Sequence, residues 1–456
     1  MTLSIFEGMS AQAHTSCTGL GAGGPNAITI GFAFLLGAGP DELGLLASLP
    51  VLGSVLQYAA VILAQGPRAR KPLVAITATL GRVAYLPLGL LPFLVARETG
   101  LKIFLAGWFV TNALFSLSGN LWTSWMADLV PPGVRGRYFS RRTRATTVVS
   151  VLVPLAMSYV LDHWFGGVPR DGPSSKAELQ AKGFALAFGL AALFGIVSWI
   201  LLRAQHEVSP EHGKPTALGA RYFLAPFRDR AFWPLLAFVA AFGLANGLSN
   251  PWWQPFQLQE LQLDYTYVNG WFVLVTGVTM VLSLPVWGRL ADRFGNRPVI
   301  LLGLLLAVTH PYYYVFGTQA RWWLMFGDAA SSGIAWAGYN MAMFNLVLAI
   351  APRESRELYV ATYAVVFGVT QAVASEASVW AVKHLPAAMP FVLGESLGPR
   401  QQVFLITAIA RLACLGFFLG AVFEPRRAKP VRSFVIAAQA YVKSRLETLK
   451  LLGQDD

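Results

Sequence analysis

Charge is what this sequence has least of. Only 13% of its 456 residues are Asp, Glu, Lys or Arg, against 55% that are apolar, about half the charged share of a soluble globular domain. A water-facing surface over a chain of this length does not reach that ratio, whereas a bundle whose outside meets lipid needs it. Cysteine is nearly missing too: Cys17 and Cys414 fall in apolar segments at opposite ends of the chain, which gives neither a disulfide framework nor a metal site. No G-x-x-x-x-G-K-[ST] loop, no H-E-x-x-H and no G-x-S-x-G occurs, so ATP hydrolysis, zinc hydrolysis and serine-nucleophile chemistry lack their signatures. The opening MTLSIFEG has no basic region and no cleavage site ahead of the first apolar run, so that run is expected to direct insertion itself. The expectation is an integral membrane protein that is not an enzyme, with no catalytic residue, metal or cofactor.

What is there is apolar sequence cut into even lengths. Runs bounded by charged or Pro/Gly turns fall at 5–37, 41–64, 72–97, 101–127, 145–166 and 183–203, and again at 231–258, 266–287, 299–317, 321–350, 357–383 and 401–423. Each suits a membrane-crossing helix of about 20 residues. The pattern predicts an all-α membrane protein of twelve transmembrane helices in two pseudo-symmetric six-helix bundles. The expected organisation is a first half at 1–204, a linker at 205–230 containing HEVSPEHGKPT, a second half at 231–424 and a tail at 425–456. The tail sets Val431, Phe434, Val435, Ala438, Val442 and Leu449 among Arg432, Lys443, Arg445 and Lys450, the make-up of a basic amphipathic helix at a membrane surface.

The net charge of +12 would suit nucleic acid, but its distribution argues for a membrane. With alternate loops assigned from a cytoplasmic N-terminus, 25 of the 35 Lys and Arg lie inside, 8 outside, and Arg82 and Arg411 within spans. That bias predicts both termini in the cytoplasm of a multi-pass cell-membrane protein, a bacterial inner membrane being the expected setting. The partners expected are membrane lipids and a small molecule, with no nucleic acid, for a monomer.

The two halves repeat. Pro131, Arg135 and Tyr138 recur at Pro352, Arg356 and Tyr359, and Pro72 recurs at Pro298. The most informative turn is Gly288 to Pro298, GRLADRFGNRP, between two long apolar runs. Its pattern G-x-x-x-D-R-x-G-x-R resembles the loop signature of the major facilitator superfamily of secondary transporters, where it joins the second and third helices of a six-helix half. In the first half Gly66 stands where Asp292 would align, so one copy alone is intact. The resemblance covers residues 5–423, points to a bacterial branch, and supplies no substrate. It implies that Gly288, Asp292, Arg293, Gly295, Arg297 and Arg356 form a cytoplasmic latch between conformations, in which Asp292 meets the start of span eleven. The drug-exporter signature G-P-x-x-G-G is absent from span five, which weakens drug/proton exchange.

Polar residues inside spans are costly and therefore informative. Span seven carries Asn246, Ser249, Asn250, Trp253, Gln254 and Gln257 on one face; span four carries Asn112, Ser116, Gly119, Asn120 and Thr123; span ten carries Asp328, Ser331, Ser332 and Tyr339 with Asn340 at the edge; span one carries Gln12, Thr15, Ser16, Gly19 and Asn26. Each set follows helical spacing. Spans three, six, nine and twelve lack such stripes. In the superfamily, helices one, four, seven and ten line the central cavity, so the resemblance implies the same pathway here: Asn26, Asn112, Ser116, Asn120, Asn246, Asn250, Trp253, Gln254, Gln257, Ser332, Tyr339 and Asn340. The competing reading is hydrogen bonding between packed helices. Pro25, Pro251 and Pro255 break or bend spans one and seven, matching places in the two halves.

Asp328, Glu376 and Arg411 lie within spans at similar depth, which predicts a charge cluster in which one carboxylate pairs with Arg411 and the other carries a coupling proton; a static ion pair is the alternative. Amides beside Trp253 and Tyr339 suit a neutral or amphipathic organic molecule, sugar- or drug-like. The functional expectation is a secondary transporter of such a solute, working by alternating access and coupled to protons. A lipid or lysolipid flippase on the same fold, and a membrane-embedded enzyme or sensor, are the alternatives.

Overall fold

The computed structural model describes residues 2–19, 24–56, 70–130, 132–170, 175–207, 220–352, 355–391 and 396–422. The tail at 425–456 and the greater part of the HEVSPEHGKPT linker lie outside them, as do the side chains of Asn120 and Arg135.

Among the described residues, helices occupy all of the apolar runs. Nine are long and apolar enough to cross a membrane: the third to sixth spans, within 71–204, and the eighth to twelfth, within 266–421. Spans one, two and seven do not pass that test. Span one is two helices, Thr2–Thr18 and Ala27–Leu35, parted by Gly19 at φ 73° and Pro25. Span two begins as Pro40–Gly53 and runs past the described residues. Span seven, Trp233–Ser249, halts at Asn250–Trp252 around Pro251 and resumes through Trp253–Pro255 into a wide-turned stretch at Phe256–Glu260. Proline removes a helical N–H, and its ring clashes with the preceding turn.

The break in span one is stitched by side chains. Asn26 caps the second helix by accepting from the Thr29 N–H at 3.0 Å, and its own amide donates to the Ser16 carbonyl at 3.0 Å. Thr29 Oγ1 donates to the Thr18 carbonyl at 2.6 Å. A short polar cap of this kind satisfies backbone groups that a helix end leaves open.

The remaining long helices are Arg70–Val83 with Tyr85–Gly89 (span three), Arg97–Leu129 (four), Pro132–Trp164 (five), Ala177–Ala204 (six), Phe272–Phe294 preceded by Thr266–Trp271 (eight), Asn296–Val315 (nine), Leu324–Ile350 (ten), Arg356–His384 (eleven) and Pro399–Ala421 (twelve). The signature turn is tight: Gly295 alone separates spans eight and nine, at φ 89°, a region that glycine enters without a Cβ penalty. Short turns make neighbouring helices antiparallel.

Helices pack mainly within 2–204 and within 233–421, and the two groups meet where span eleven crosses span two and where span five crosses span eight. Phe32, Phe104, Phe184, Phe188 and Trp108 fill the first group; Phe238, Phe242, Tyr339 and Phe418 fill the second. Span seven approaches span eleven closely because Gly243 and Gly247 present no Cβ to Thr370 and the Gln371 carbonyl. The outer surface is apolar: Leu282 is 70% exposed and Trp380 65%, as a lipid-facing wall requires.

Candidate functional site

Between the two groups of helices lies a cavity in two connected compartments, of about 380 and 660 Å³, which share Ser150, Asn250, Trp253, Gln254 and Val273. The smaller is lined by the break of span one (Gln12, Thr15, Ser16, Asn26), by Pro154 and by Asn269, with no charged residue. The larger reaches into the second helix group, where Asp328 and Arg411 line it together with His310, Tyr314, Trp336, Tyr339, Asn340 and Gln371.

Nine of the twelve expected pathway residues line this cavity: Asn26, Asn246, Asn250, Trp253, Gln254, Gln257, Ser332, Tyr339 and Asn340. Of the three on span four, Asn120 lies outside the described side chains, and Asn112 and Ser116 are not on the wall. Asn112 is 4% exposed and donates its amide back to the Trp108 carbonyl at 2.8 Å, a bond within its own helix that competes with any partner in the cavity. Ser116 is half-buried outside the cavity wall. Neighbouring Ser118, Gly119 and Trp122 instead border a separate cavity of about 220 Å³ inside the first helix group.

The expected charge cluster is corrected. Asp328 and Arg411 face one cavity, but Glu376 does not join them: it is exposed and accepts from Ser48 Oγ of span two at 2.7 Å. Equal depth is not equal direction. Glu376 lies five residues beyond the cavity-lining Gln371, so the helix has turned about 140° between them. Nor do Asp328 and Arg411 form an ion pair among the described residues. Asp328 accepts from Tyr314 OH at 3.1 Å and Ser332 Oγ at 3.2 Å. Arg411, 2% exposed, donates to the Ala307 carbonyl and to Asn246 Oδ1, each at 2.7 Å, and its guanidinium lies 5.6 Å from the Trp253 ring and 5.9 Å from that of Trp336.

Spans nine and twelve therefore supply His310, Tyr314 and Arg411, although neither carries a polar stripe. Tyr314 links two walls, accepting from Gln257 Nε2 at 2.8 Å while donating to Asp328. One or two polar groups per span suffice where a helix meets a cavity over a single turn; such a span shows no long stripe, and the ionisable residue inside an apolar run is the signal that remains.

The first helix group holds a second charge cluster. Glu7, 2% exposed, pairs with Arg142 at 2.9 Å and with Arg82 at 3.7 Å, and accepts from Ser198 Oγ at 3.0 Å. Arg82 also donates to Ser198, and Arg142 stacks over Trp122 at 4.2 Å.

Among the described residues, the hydrogen bonds that join the two helix groups gather toward one face. The face bearing the turns that follow spans one, five, seven and eleven is termed distal; that bearing the signature turn is termed terminal. Every hydrogen bond between the two helix groups among the described residues lies toward the distal face. Arg170 donates to the carbonyls of Leu258, Gln262 and Leu263 and pairs with Asp264 at 2.8 Å. Asp162 accepts from the Tyr265 and Thr266 backbone and from Thr266 Oγ1; Lys383 pairs with Asp41.

On the terminal face, Asp292, Arg293 and Arg356 are exposed, and Gly288 is open, with no neighbour within 4 Å of an added Cβ. Asp292 makes no ion pair there among the described residues. Arg293 lies 5.3 Å from the Phe294 ring, and Arg297 donates to the Leu419 carbonyl at 2.6 Å.

Residues 241–452 match the family model for the Major Facilitator Superfamily. A multidrug transporter of Candida glabrata is 30% identical over 115 residues, 24% of this chain and 16% of that protein's length. Among solved structures, the D-xylose-proton symporter superposes with a TM-score of 0.66 at 14% identity, covering 93% of this chain and 97% of its own. The nucleoside transporter NupG gives 0.64 at 14% identity, covering 92% and 99%.

Proposed function

We propose that this chain is a secondary transporter of a small organic solute, a reading supported by the match of residues 241–452 to the Major Facilitator Superfamily model and by the fold shared with solved transporters. The solute occupies the two-compartment cavity, amides and hydroxyls holding its polar groups and Trp253 and Trp336 its apolar or ring-bearing body. The observation that carries the reading is a polar cavity between two helix groups, whose cross-group hydrogen bonds among the described residues all lie toward one face. That is one of the two states alternating access requires, the groups rocking about a fixed site. With the termini in the cytoplasm of the cell membrane, as the Lys/Arg bias favours, the conformation is inward-open. The signature turn then acts as the latch of the opposite state, and the monomer is the working unit.

Coupling to protons is assigned to Asp328, the carboxylate on the cavity wall, whose two hydroxyl partners accommodate either protonation state. The test is uptake into vesicles reconstituted with the pure protein under an imposed proton gradient. The solute panel is sugars, nucleosides, amino acids, organic acids and lysolipids. Accumulation of one class, abolished by a protonophore, supports the reading. Movement of lysolipid alone would replace it with a flippase.

A further inference from the structure

The positive charge of Arg411 is oriented by hydrogen bonds and makes no direct ion pair among the described residues. Its two hydrogen-bond acceptors, the Ala307 carbonyl and Asn246 Oδ1, are both neutral, and Asn246 is itself fixed by donating to the Phe242 carbonyl at 2.8 Å. Asp328, the other charged group on the wall of the larger compartment, is held by Tyr314 and Ser332 rather than by the guanidinium. Arg411 Nε is buried and has no partner. A guanidinium carries five N–H groups in a planar fork matched to a carboxylate, and burial with no carboxylate in direct contact leaves part of that fork unmatched. The indoles of Trp253 and Trp336 flank the guanidinium, while Tyr363 and Phe367 continue the aromatic wall.

We propose that Arg411 receives the carboxylate of an organic monoanion whose aromatic or apolar body lies between Trp253, Trp336 and Phe367. The assignment rests on the cavity being a transporter's substrate site, and narrows the solute to an amphipathic acid. The Nη–H groups not engaged by Ala307 and Asn246 meet the carboxylate from the cavity, and Nε–H, buried in this conformation, joins them as the side chain shifts. The Asp328 carboxylate, facing the same compartment, opposes a second negative charge and so disfavours dianions. The smaller compartment, which is lined by no charged group, takes hydroxyl or amide substituents at the far end of the body.

Quenching of tryptophan fluorescence tests this on the whole purified protein, with phenylacetate, phenylacetamide and phenethylamine as probes sharing one ring and differing in the charged group. Phenylacetate is expected to quench saturably, with the amide and the amine at least about tenfold weaker, the size of effect a charge-assisted bidentate contact gives. Arg411→Gln removes the preference. Asp328→Asn, which deletes the opposing charge and leaves Arg411 in place, tightens phenylacetate severalfold and gives a reading even where Arg411→Gln does not fold. Equal affinity for acid and amide, no saturable quenching by phenylacetate, or an unchanged phenylacetate affinity in Asp328→Asn overturns the assignment. Vesicle uptake separates this failure from that of the transport reading. Accumulation of a neutral or cationic solute with no preference for the acid sinks the carboxylate assignment alone; phenylacetate binding without uptake of any solute sinks transport alone.

Discussion

Ser48 Oγ donates to Glu376 Oε1 at 2.7 Å across the seam between spans two and eleven. This bond turns a residue expected to carry protons into one that holds two helix groups together. It joins Arg170 and Asp162 in closing the distal face, and with them it makes the seam, rather than the cavity, the place where charge fixes the conformation.

Deleting the seam's strongest bonds is expected to release it. Arg170→Ala removes three bonds to backbone carbonyls and one to Asp264; a loss of about 2 kcal/mol, the scale of a charge-assisted hydrogen bond, shifts the balance of conformations about thirtyfold toward a distal-open state. Spin-label distances across the distal face would lengthen. Glu376→Gln keeps an acceptor for Ser48 and is expected to leave both those distances and proton-driven uptake near those of the parent. Loss of uptake in Glu376→Gln would return that residue to the coupling machinery.

Glu7 is the only carboxylate in contact with Arg82 and Arg142 among the described residues. Glu7→Ala leaves two guanidinium groups poorly exposed and unpaired, a change that costs about 3–5 kcal/mol in buried pairs. Thermal unfolding in detergent should fall sharply for Glu7→Ala and recover in part for Glu7→Ala with Arg82→Met, since removing both charges also removes the uncompensated one. Equal melting temperatures for the parent and Glu7→Ala would show the pair to be solvated.

Gly31 is a glycine because Tyr265 fills its place. A Cβ at position 31 would collide with the Tyr265 hydroxyl, which is buried and unpartnered. Gly31 belongs to span one and Tyr265 to the approach to span eight, so the clash falls between helix groups that separate when the distal face opens. Gly31→Ala is therefore expected to weaken the distal-closed state by about 1–3 kcal/mol, the usual price of overpacking, and Gly31→Ala with Tyr265→Phe to restore part of it. Spin-label distances decide between this and simple loss of fold.

Some of this was legible in the sequence. The even apolar runs, the breaks at Pro25 and Pro251 and the amide face of span seven are local patterns, and the helices follow them. Asn112 and Ser116 share the polar face of span four but lie off the cavity wall, because tertiary packing and not periodicity decides which part of a polar face meets the cavity. Glu376 shares its depth with Asp328 and Arg411 but faces span two, because depth along a helix does not set direction around it. Glu7 escaped notice at the edge of an apolar run, and its value depends on Arg82 and Arg142, placed beside it only by tertiary packing. His310 and Tyr314 are placed in the site by the same packing: they sit one turn apart on a single helix, Asn296–Val315, too short a polar stretch to mark that span from the sequence.

Asp292 closes the series, because its expected role belongs to a conformation other than this one. Here Asp292 stands exposed, forming no ion pair with Arg293 or Arg356 among the described residues. An exposed carboxylate in that setting contributes little, so Asp292→Asn should change thermal stability by no more than about 0.5 kcal/mol and leave solute affinity in detergent unaltered. In the terminal-closed state the carboxylate would approach the N-terminus of Arg356–His384, where helix dipole and arginine favour negative charge. Losing that interaction raises the energy of one state only, by about 1.4 kcal/mol for a tenfold fall in turnover. Uptake by Asp292→Asn in vesicles is the measurement: a slowed rate at unchanged affinity supports the latch. An unchanged rate removes it, and a fall in stability would show Asp292 to be structural in the state already seen.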